Sequence, residues 1–69
     1  ESHAWEVERP EKWAESIGQA VYYRASTGRQ GGVILLMGRR PLKHEIVYYL
    51  RCLVACCDVG LALRVERVK

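Results

Sequence analysis

At the centre of the chain, residues 31–38 read Gly-Gly-Val-Ile-Leu-Leu-Met-Gly. An unbroken apolar run of this length between turn-forming glycines is typical of a strand in the interior of a parallel sheet. We therefore predict a central strand over Val33 to Met37 with both of its faces covered. The segments on either side should supply the neighbouring strands and the helices that cover them.

Helical patterns stand on both sides of this strand. One is predicted over Glu11 to Thr27, because Pro10 suits the start of a helix and Gly28 suits its left-handed cap. The other is predicted over Leu42 to Val59, with Gly60 as its cap. By helical spacing, the core-facing residues are expected to be Ala14, Ile17, Gly18, Val21 and Ala25 in the first helix, and Ile46, Val47, Leu50, Leu53, Val54 and Cys57 in the second.

Two further strands complete the pattern. Ala4 to Arg9 alternates Trp5 and Val7 with two glutamates, which predicts a short strand with one polar face. Leu61 to Val68 is predicted to close the chain as a more exposed strand at a sheet edge. The resulting β-α-β-α-β order favours right-handed crossovers, so we expect an α/β fold with a three-stranded, largely parallel sheet and two helices.

Length and composition narrow the choice of class. The chain has 69 residues, a length that suits a single domain over residues 1–69. Its apolar runs are broken by Arg51 and Asp58 well short of the roughly 20 residues that a transmembrane helix needs, so no membrane partner is expected. Eleven basic and eight acidic residues give a net charge of +3, which is compatible with an anionic partner such as nucleic acid.

The three cysteines are Cys52, Cys56 and Cys57. An odd number clustered in one apolar segment does not form a disulfide framework, and neither histidine completes a zinc-binding spacing. We interpret them as small apolar side chains at a helix interface in a reducing compartment, which predicts a cytoplasmic protein.

A small three-stranded sheet leaves unpaired backbone groups at both edges. The aromatic side chains also exceed what so small a core readily absorbs, although several of them could lie flat on the sheet. We therefore expect a partner, and the predicted one is a second copy of the chain. The aromatic residues concerned are Trp5, Trp13, Tyr22, Tyr48 and Tyr49.

Chemistry is concentrated around the first strand and helix. Glu6 and Glu8 share one strand face, where two carboxylates repel each other unless a cation lies between them. Lys12 is expected to reach that position. Hard oxygen ligands beside a lysine suit magnesium-assisted phosphodiester hydrolysis, whereas the plainer alternative is an exposed strand face. Along the helix, a stripe of polar side chains consists of Lys12, Ser16, Gln19 and Tyr23, and such a stripe is most often simply solvated.

These residues carry a resemblance to a known superfamily. The segment from Glu6 to Tyr23, followed by Thr27-Gly28 and the apolar strand Gly32 to Met37, resembles the C-terminal half of a PD-(D/E)XK (restriction-endonuclease-like) nuclease. In that superfamily, a strand bearing an acidic-x-lysine motif runs into a helix, and the RecB-like members carry Gln-x-x-x-Tyr on that helix. Gln19 and Tyr23 match this second motif.

The resemblance implies a role for each position. Glu6 corresponds to an acidic magnesium ligand, and Glu8 stands where the motif's lysine is expected, so that both carboxylates become candidate metal ligands. Lys12 occupies the place of a lysine that has migrated to the helix. Gln19 would orient phosphate or water, and Tyr23 would pack beside nucleic acid or support Gln19.

The superfamily's second metal ligand, an Asp on a preceding strand, has no counterpart in this sequence. The chain is therefore either a fragment of a longer nuclease or a reduced protein on the same scaffold; Glu1 or a second chain could supply the ligand. Two functions stay open: a magnesium-dependent nuclease, or a catalytically inactive module that binds nucleic acid or protein as a homodimer. The basic residues available to phosphates are Arg9, Arg24, Arg29, Arg39 and Arg40.

Overall fold

The computed structural model describes residues 3–68. In chain order, it contains β1 (His3–Glu8), a 3-10 turn (Pro10–Lys12), α1 (Trp13–Thr27), β2 (Gln30–Gly38), α2 (Lys43–Val59) and β3 (Ala62–Val68). The predicted β-α-β-α-β order is confirmed. Both predicted helix caps are also present: Gly28 and Gly60 have φ angles of 71° and 75°, and their N–H groups donate to the carbonyls of Arg24 and Cys56.

The sheet has the order β1-β2-β3, and both strand pairs are parallel. Glu6 and Leu63 flank Val33 in register, while Trp5 and Ala62 flank Gly32. The central position of β2 is therefore confirmed. Because strands with paired Cα atoms project their side chains to the same side, this register sorts every strand residue onto one of two sheet faces.

Both helices lie on the same face of the sheet. Successive right-handed crossovers that step from β1 to β2 to β3 in one direction place their helices on one side. The prediction that β2 is covered by secondary structure on both faces was wrong for this reason. The buried core residues on the helix-covered face are Ala20, Val33, Leu35, Met37, Cys52, Cys56 and Leu61.

The opposite face, which we call the open sheet face, carries the aromatic residue of β1. The indole of Trp5 lies over Gly32, where an added Cβ would stand only 2.5 Å from the ring, so only glycine fits beneath it. His3 stacks on Trp5 at 5.0 Å between ring centroids, and the Arg64 guanidinium lies 5.6 Å from the same ring. Side chains of the sheet itself therefore cover part of this face.

The buried side of α1 differs in part from the predicted one. Ile17 and Val21 pack against the core as predicted, but Ala14, Gly18 and Ala25 are exposed, and Ser16 and Ala20 are fully buried instead. Small side chains occupy the line along which α1 comes closest to the sheet. The buried Ser16 hydroxyl is satisfied locally, because it donates to the carbonyl of Lys12 one turn earlier, at 3.0 Å. Ala14 and Ala25 suit exposed helical positions through their high helix propensity, whereas Gly18 does not.

The prediction for α2 was wrong in a similar way. Cys52 and Cys56 are buried against the sheet, while Leu50 and Val54 are 51% and 70% exposed and Cys57 is exposed. Apolar residues occur around most of this helix, so the largest of them do not mark its inner side. Within residues 3–68, no helix is long and apolar enough to cross a membrane.

Candidate functional site

The two predicted metal-binding carboxylates lie on the helix-covered side of the sheet. Glu6 and Glu8 are in register with Val33 and Leu35, which point into the core, so both glutamates project toward the layer that contains α1. Because β1 is an edge strand, both side chains stay half-buried rather than enclosed. Val7, which lies between the two glutamates, points to the open sheet face and is 49% exposed.

This placement alters the electrostatics of the pair. Partial burial raises the pKa of the Glu6 carboxyl above its usual range, and the charge of Glu8 raises it further. Both effects disfavour the ionised form of Glu6, and a cation bound between the carboxylates would relieve the second of them. One strand thus supplies two carboxylate groups whose mutual repulsion disfavours the doubly ionised state.

Lys12 ends the 3-10 turn directly before α1. Its Nζ lies 3.9 Å from an Oε of Glu15, and both side chains are more than half exposed. The structure therefore pairs Lys12 with its own helix and not with Glu6 or Glu8. An exposed pair of this kind contributes little to stability, so the lysine can leave it at low cost.

Gln19 and Tyr23 lie on the flank of α1 that faces away from α2. The side of α1 that faces α2 is marked by Arg24, whose Nη1 donates to the carbonyl of Val59 at 2.8 Å. At about 100° per residue, Gln19 lies about 140° around the helix from Arg24, and Tyr23 about 100° in the same sense. The two motif residues therefore face the β1 side of the molecule.

The position of Gln19 along α1 also corresponds to that of Glu6 along β1. In a crossover unit the helix runs back along the sheet, and Gln19 is seven residues, or about 10 Å, past Lys12. Glu6 is two residues, about 7 Å, before the end of β1 at Glu8. Gln19 thus lies at a height similar to that of Glu6 on the same flank, where Glu6 is half-buried and Gln19 is exposed. Of the predicted polar stripe, only Ser16 is removed from solvent.

Basic residues meet at the carboxyl ends of the strands. Arg9, Arg39 and Arg40 line a cleft of about 430 Å³ together with the acidic side chain of Glu45. Parallel strands bring the residues that follow them to one edge, which is where α/β proteins generally bind ligands. Arg67, which the sequence analysis did not single out, belongs to the same edge, and its Nη1 donates to the carbonyl of Gly38 at 3.3 Å.

Two of the five predicted phosphate-binding arginines lie elsewhere. Arg24 Nη1 donates to the carbonyls of Val59 and Gly60 at the end of α2, away from the cleft. Arg29 lies in the turn before β2, at the opposite end of the sheet from the cleft. The basic surface that the structure assembles is therefore limited to one edge.

The fit to a magnesium ion is partial. Carboxylate oxygens are the ligands that magnesium prefers, and Glu6 and Glu8 supply them. Among residues 3–68, however, no three His, Cys, Asp or Glu side chains are grouped so that they could hold a metal ion. Glu1, suggested as a substitute for the missing Asp, lies outside the described residues.

No protein-family model, curated protein or solved structure matches this chain. The resemblance to PD-(D/E)XK nucleases therefore rests on the motif residues and on their placement.

Proposed function

We propose that this chain is a PD-(D/E)XK nuclease-like protein that binds nucleic acid and, once a further ligand completes the metal site, hydrolyses its phosphodiester bonds. One feature supports the proposal: Glu6 on β1 and Gln19 on α1 lie on the same flank of the molecule and at a similar height. The resemblance expects an acidic residue and a glutamine to be related in this way.

Each residue has a distinct part in the proposed reaction. Glu6 and Glu8 would hold a magnesium ion, which would supply the positive charge that lowers the pKa of a reacting water. Gln19 would orient the phosphate or the water by hydrogen bonding. Lys12 would leave Glu15 and turn toward the phosphate, where its charge stabilises the oxygen that becomes more negative.

The test is cleavage of labelled single-stranded and double-stranded DNA in the presence of magnesium or manganese. Glu6→Gln and Glu8→Gln are expected to reduce cleavage by at least about 100-fold, because each removes a charged metal ligand. Glu11→Gln, an exposed carboxylate in the adjacent 3-10 turn, is the matched control and should retain activity. Cleavage that is indifferent to Glu6, or an absence of cleavage under all of these metal conditions, would contradict the proposed activity.

A second candidate function is an inactive nuclease scaffold that binds nucleic acid without cutting it. The specific observation in its favour is the cleft lined by Arg9, Arg39 and Arg40, which needs no metal to bind phosphates. It predicts salt-dependent binding in EDTA with no cleavage under any metal condition.

The arginine cleft can be tested separately by fluorescence anisotropy with a labelled oligonucleotide. Replacing both Arg39 and Arg40 by Ala removes two phosphate contacts and should reduce the slope of log K against log salt by about 2. Arg29→Ala, at the other end of the sheet, should leave the slope unchanged. Equal effects of these changes would indicate nonspecific charge attraction instead of a cleft.

A further inference from the structure

The outward surface of α2 is not explained by the candidate site. Five positions spaced by four, three, four and four residues form one line along the helix, which we call the outer face of α2: Lys43, Val47, Leu50, Val54 and Asp58. Its three central side chains are apolar and exposed by 42%, 51% and 70%, and they border a groove of about 600 Å³ that Trp13 also lines.

An apolar line of this kind is normally covered. A helix that is apolar on its inner and outer sides is typical of one packed between two layers, because exposed leucine and valine surface gains about 25 cal/mol for each Å² removed from water. Within residues 3–68, nothing packs over the outer face of α2. The helix therefore has the composition of an element with a partner on its outward side.

The charges at the ends of this line indicate which partner fits. Lys43 stands in the first turn of α2 and Asp58 in the last, so each lies at the helix end whose dipole carries the same sign of charge. Neither forms an ion pair within residues 3–68. An antiparallel helix alongside would satisfy both charges if it carried an acidic residue at its C-terminal end, beside Lys43, and a basic residue at its N-terminal end, beside Asp58.

We propose that the outer face of α2 binds the same face of a second copy of this chain, with the two α2 helices antiparallel about a two-fold axis near Leu50. Lys43 of each helix then lies beside Asp58 of the other, once at each end of the contact. Val47, Leu50 and Val54 of both copies fill the centre. Two-fold symmetry requires only that one face be complementary to itself, and this line of residues is.

The size of the contact sets the expected strength. A helix of 17 residues is about 25 Å long, so the pairing is one helix wide and at the small end of specific interfaces. We expect roughly micromolar association that does not depend on nucleic acid or metal. The dimer and the proposed nuclease activity are therefore independently testable.

The experiment is sedimentation equilibrium of the 69-residue chain under reducing conditions, from about 0.05 to 200 µM, a range that brackets the expected dissociation constant. The apparent mass should rise from 7.9 kDa toward twice that value. Val54→Glu should abolish the rise, and Asp58→Lys should weaken association about tenfold, because it places like charges together at both ends. Glu15→Lys on α1 is the matched charge-reversal control and should have no effect.

The decisive variant combines Lys43→Glu with Asp58→Lys, which restores opposite charges across an antiparallel contact and should recover wild-type association. Far-UV circular dichroism of each variant establishes that the monomer is folded. A chain that stays monomeric up to 200 µM, about the top of the tested range, would overturn the proposal. So would a dimer that tolerates Val54→Glu but is lost with Ile34→Glu on the open sheet face, or a double variant that fails to recover association.

Discussion

The molecule consists of two crossover units that share β2, and their backbones are closely alike. In each, a strand leads into a helix that ends at a glycine with positive φ and returns to the sheet as a parallel strand. Each helix also approaches the sheet through small buried side chains: Ser16 and Ala20 in α1, and Cys52 and Cys56 in α2. The two units therefore pack their helices against the sheet in the same way.

Their outward surfaces differ in composition, although the first also exposes Tyr22 and the second also exposes Arg51. The first unit exposes charged and amide side chains, including Glu15 and Gln19, and carries the carboxylate pair of the candidate site. The second exposes Leu50, Val54 and their apolar neighbours. The comparison teaches that capping glycines and small contacts determine the common backbone, whereas the residues that point away from the sheet distinguish the chemistry of one unit from that of the other.

The largest expected effect on folding stability comes from comparing a buried leucine of the sheet with an exposed leucine of α2. Leu35→Ala opens a cavity in a fully buried position that both helices cover and should cost about 2–5 kcal/mol, enough to unfold much of a domain this small. Leu50→Ala removes the same atoms from a half-exposed position and should cost less than about 1 kcal/mol. Urea unfolding at low micromolar protein concentration measures both. Equal costs would show that the outer face of α2 is packed within the monomer.

The next effect tests which side of α1 meets the sheet. Ala20→Leu forces three extra carbon atoms into a fully buried position and should destabilise the fold by about 1–3 kcal/mol. Ala14→Leu, the matched change on the exposed side, should be neutral within about 0.5 kcal/mol. Thermal or urea unfolding distinguishes them, and the reverse order would restore the helix face that the sequence predicts.

These contrasts also mark where sequence reasoning succeeded. The element order and the C-terminal ends of both helices were predicted correctly, because Gly28 and Gly60 are required by backbone geometry whatever packs nearby. The first helix begins at Trp13 and not at Glu11, since Pro10–Lys12 form a 3-10 turn. The buried face of α2 was predicted wrongly, because its large apolar residues were assumed to point inward. That of α1 was predicted correctly only in part: Ile17 and Val21 pack on the core, whereas Ala14, Gly18 and Ala25 are exposed. In this fold the helices lie close to the sheet, so the contact line takes small side chains such as Ala20 and Cys56.

The candidate site was predictable in part. Alternation along β1 predicted that Glu6 and Glu8 share a face, since that follows from strand geometry alone. Which face they share depends on the sheet register with β2, and the engagement of Arg24 depends on where α2 ends. Neither can be obtained from local spacing, because both are set by contacts between distant segments.

The two units should also differ in what they contribute to the pH dependence of the free energy of unfolding. Burial, together with the neighbouring Cys56, raises the pKa of the Cys52 thiol from about 9 to about 12. Between these values the unfolded chain loses a proton that the folded chain keeps, so stability falls as pH rises above 9, by up to about 1.4 kcal/mol per pH unit.

Urea unfolding at pH 8, 9 and 10 compares the wild type with Cys52→Ala, in which this part of the pH dependence should be absent. Ser16→Ala, the corresponding buried position of the first unit, should keep the wild-type slope, because a serine hydroxyl does not titrate in this range. Identical slopes in all three proteins would show that Cys52 is accessible to solvent, contrary to its burial.

The smallest effect concerns the carboxylate pair of the first unit. Since the pKa of Glu6 is raised by burial and by Glu8, its ionised form opposes folding at neutral pH. Glu6→Gln should therefore stabilise the fold slightly at pH 7, by less than about 0.5 kcal/mol after solvent screening. The gain should vanish as the pH falls below the Glu6 pKa, where the wild-type carboxyl is itself uncharged.

The effect of magnesium on unfolding tests whether the carboxylate pair binds a cation. A cation held between Glu6 and Glu8 binds the folded state only, so millimolar magnesium should raise the unfolding midpoint of the wild type and not that of Glu6→Gln. Glu11→Gln should respond as the wild type does. If magnesium stabilises all three proteins equally, the ion acts through general screening, and the carboxylate pair is then an exposed strand edge and not a cation site.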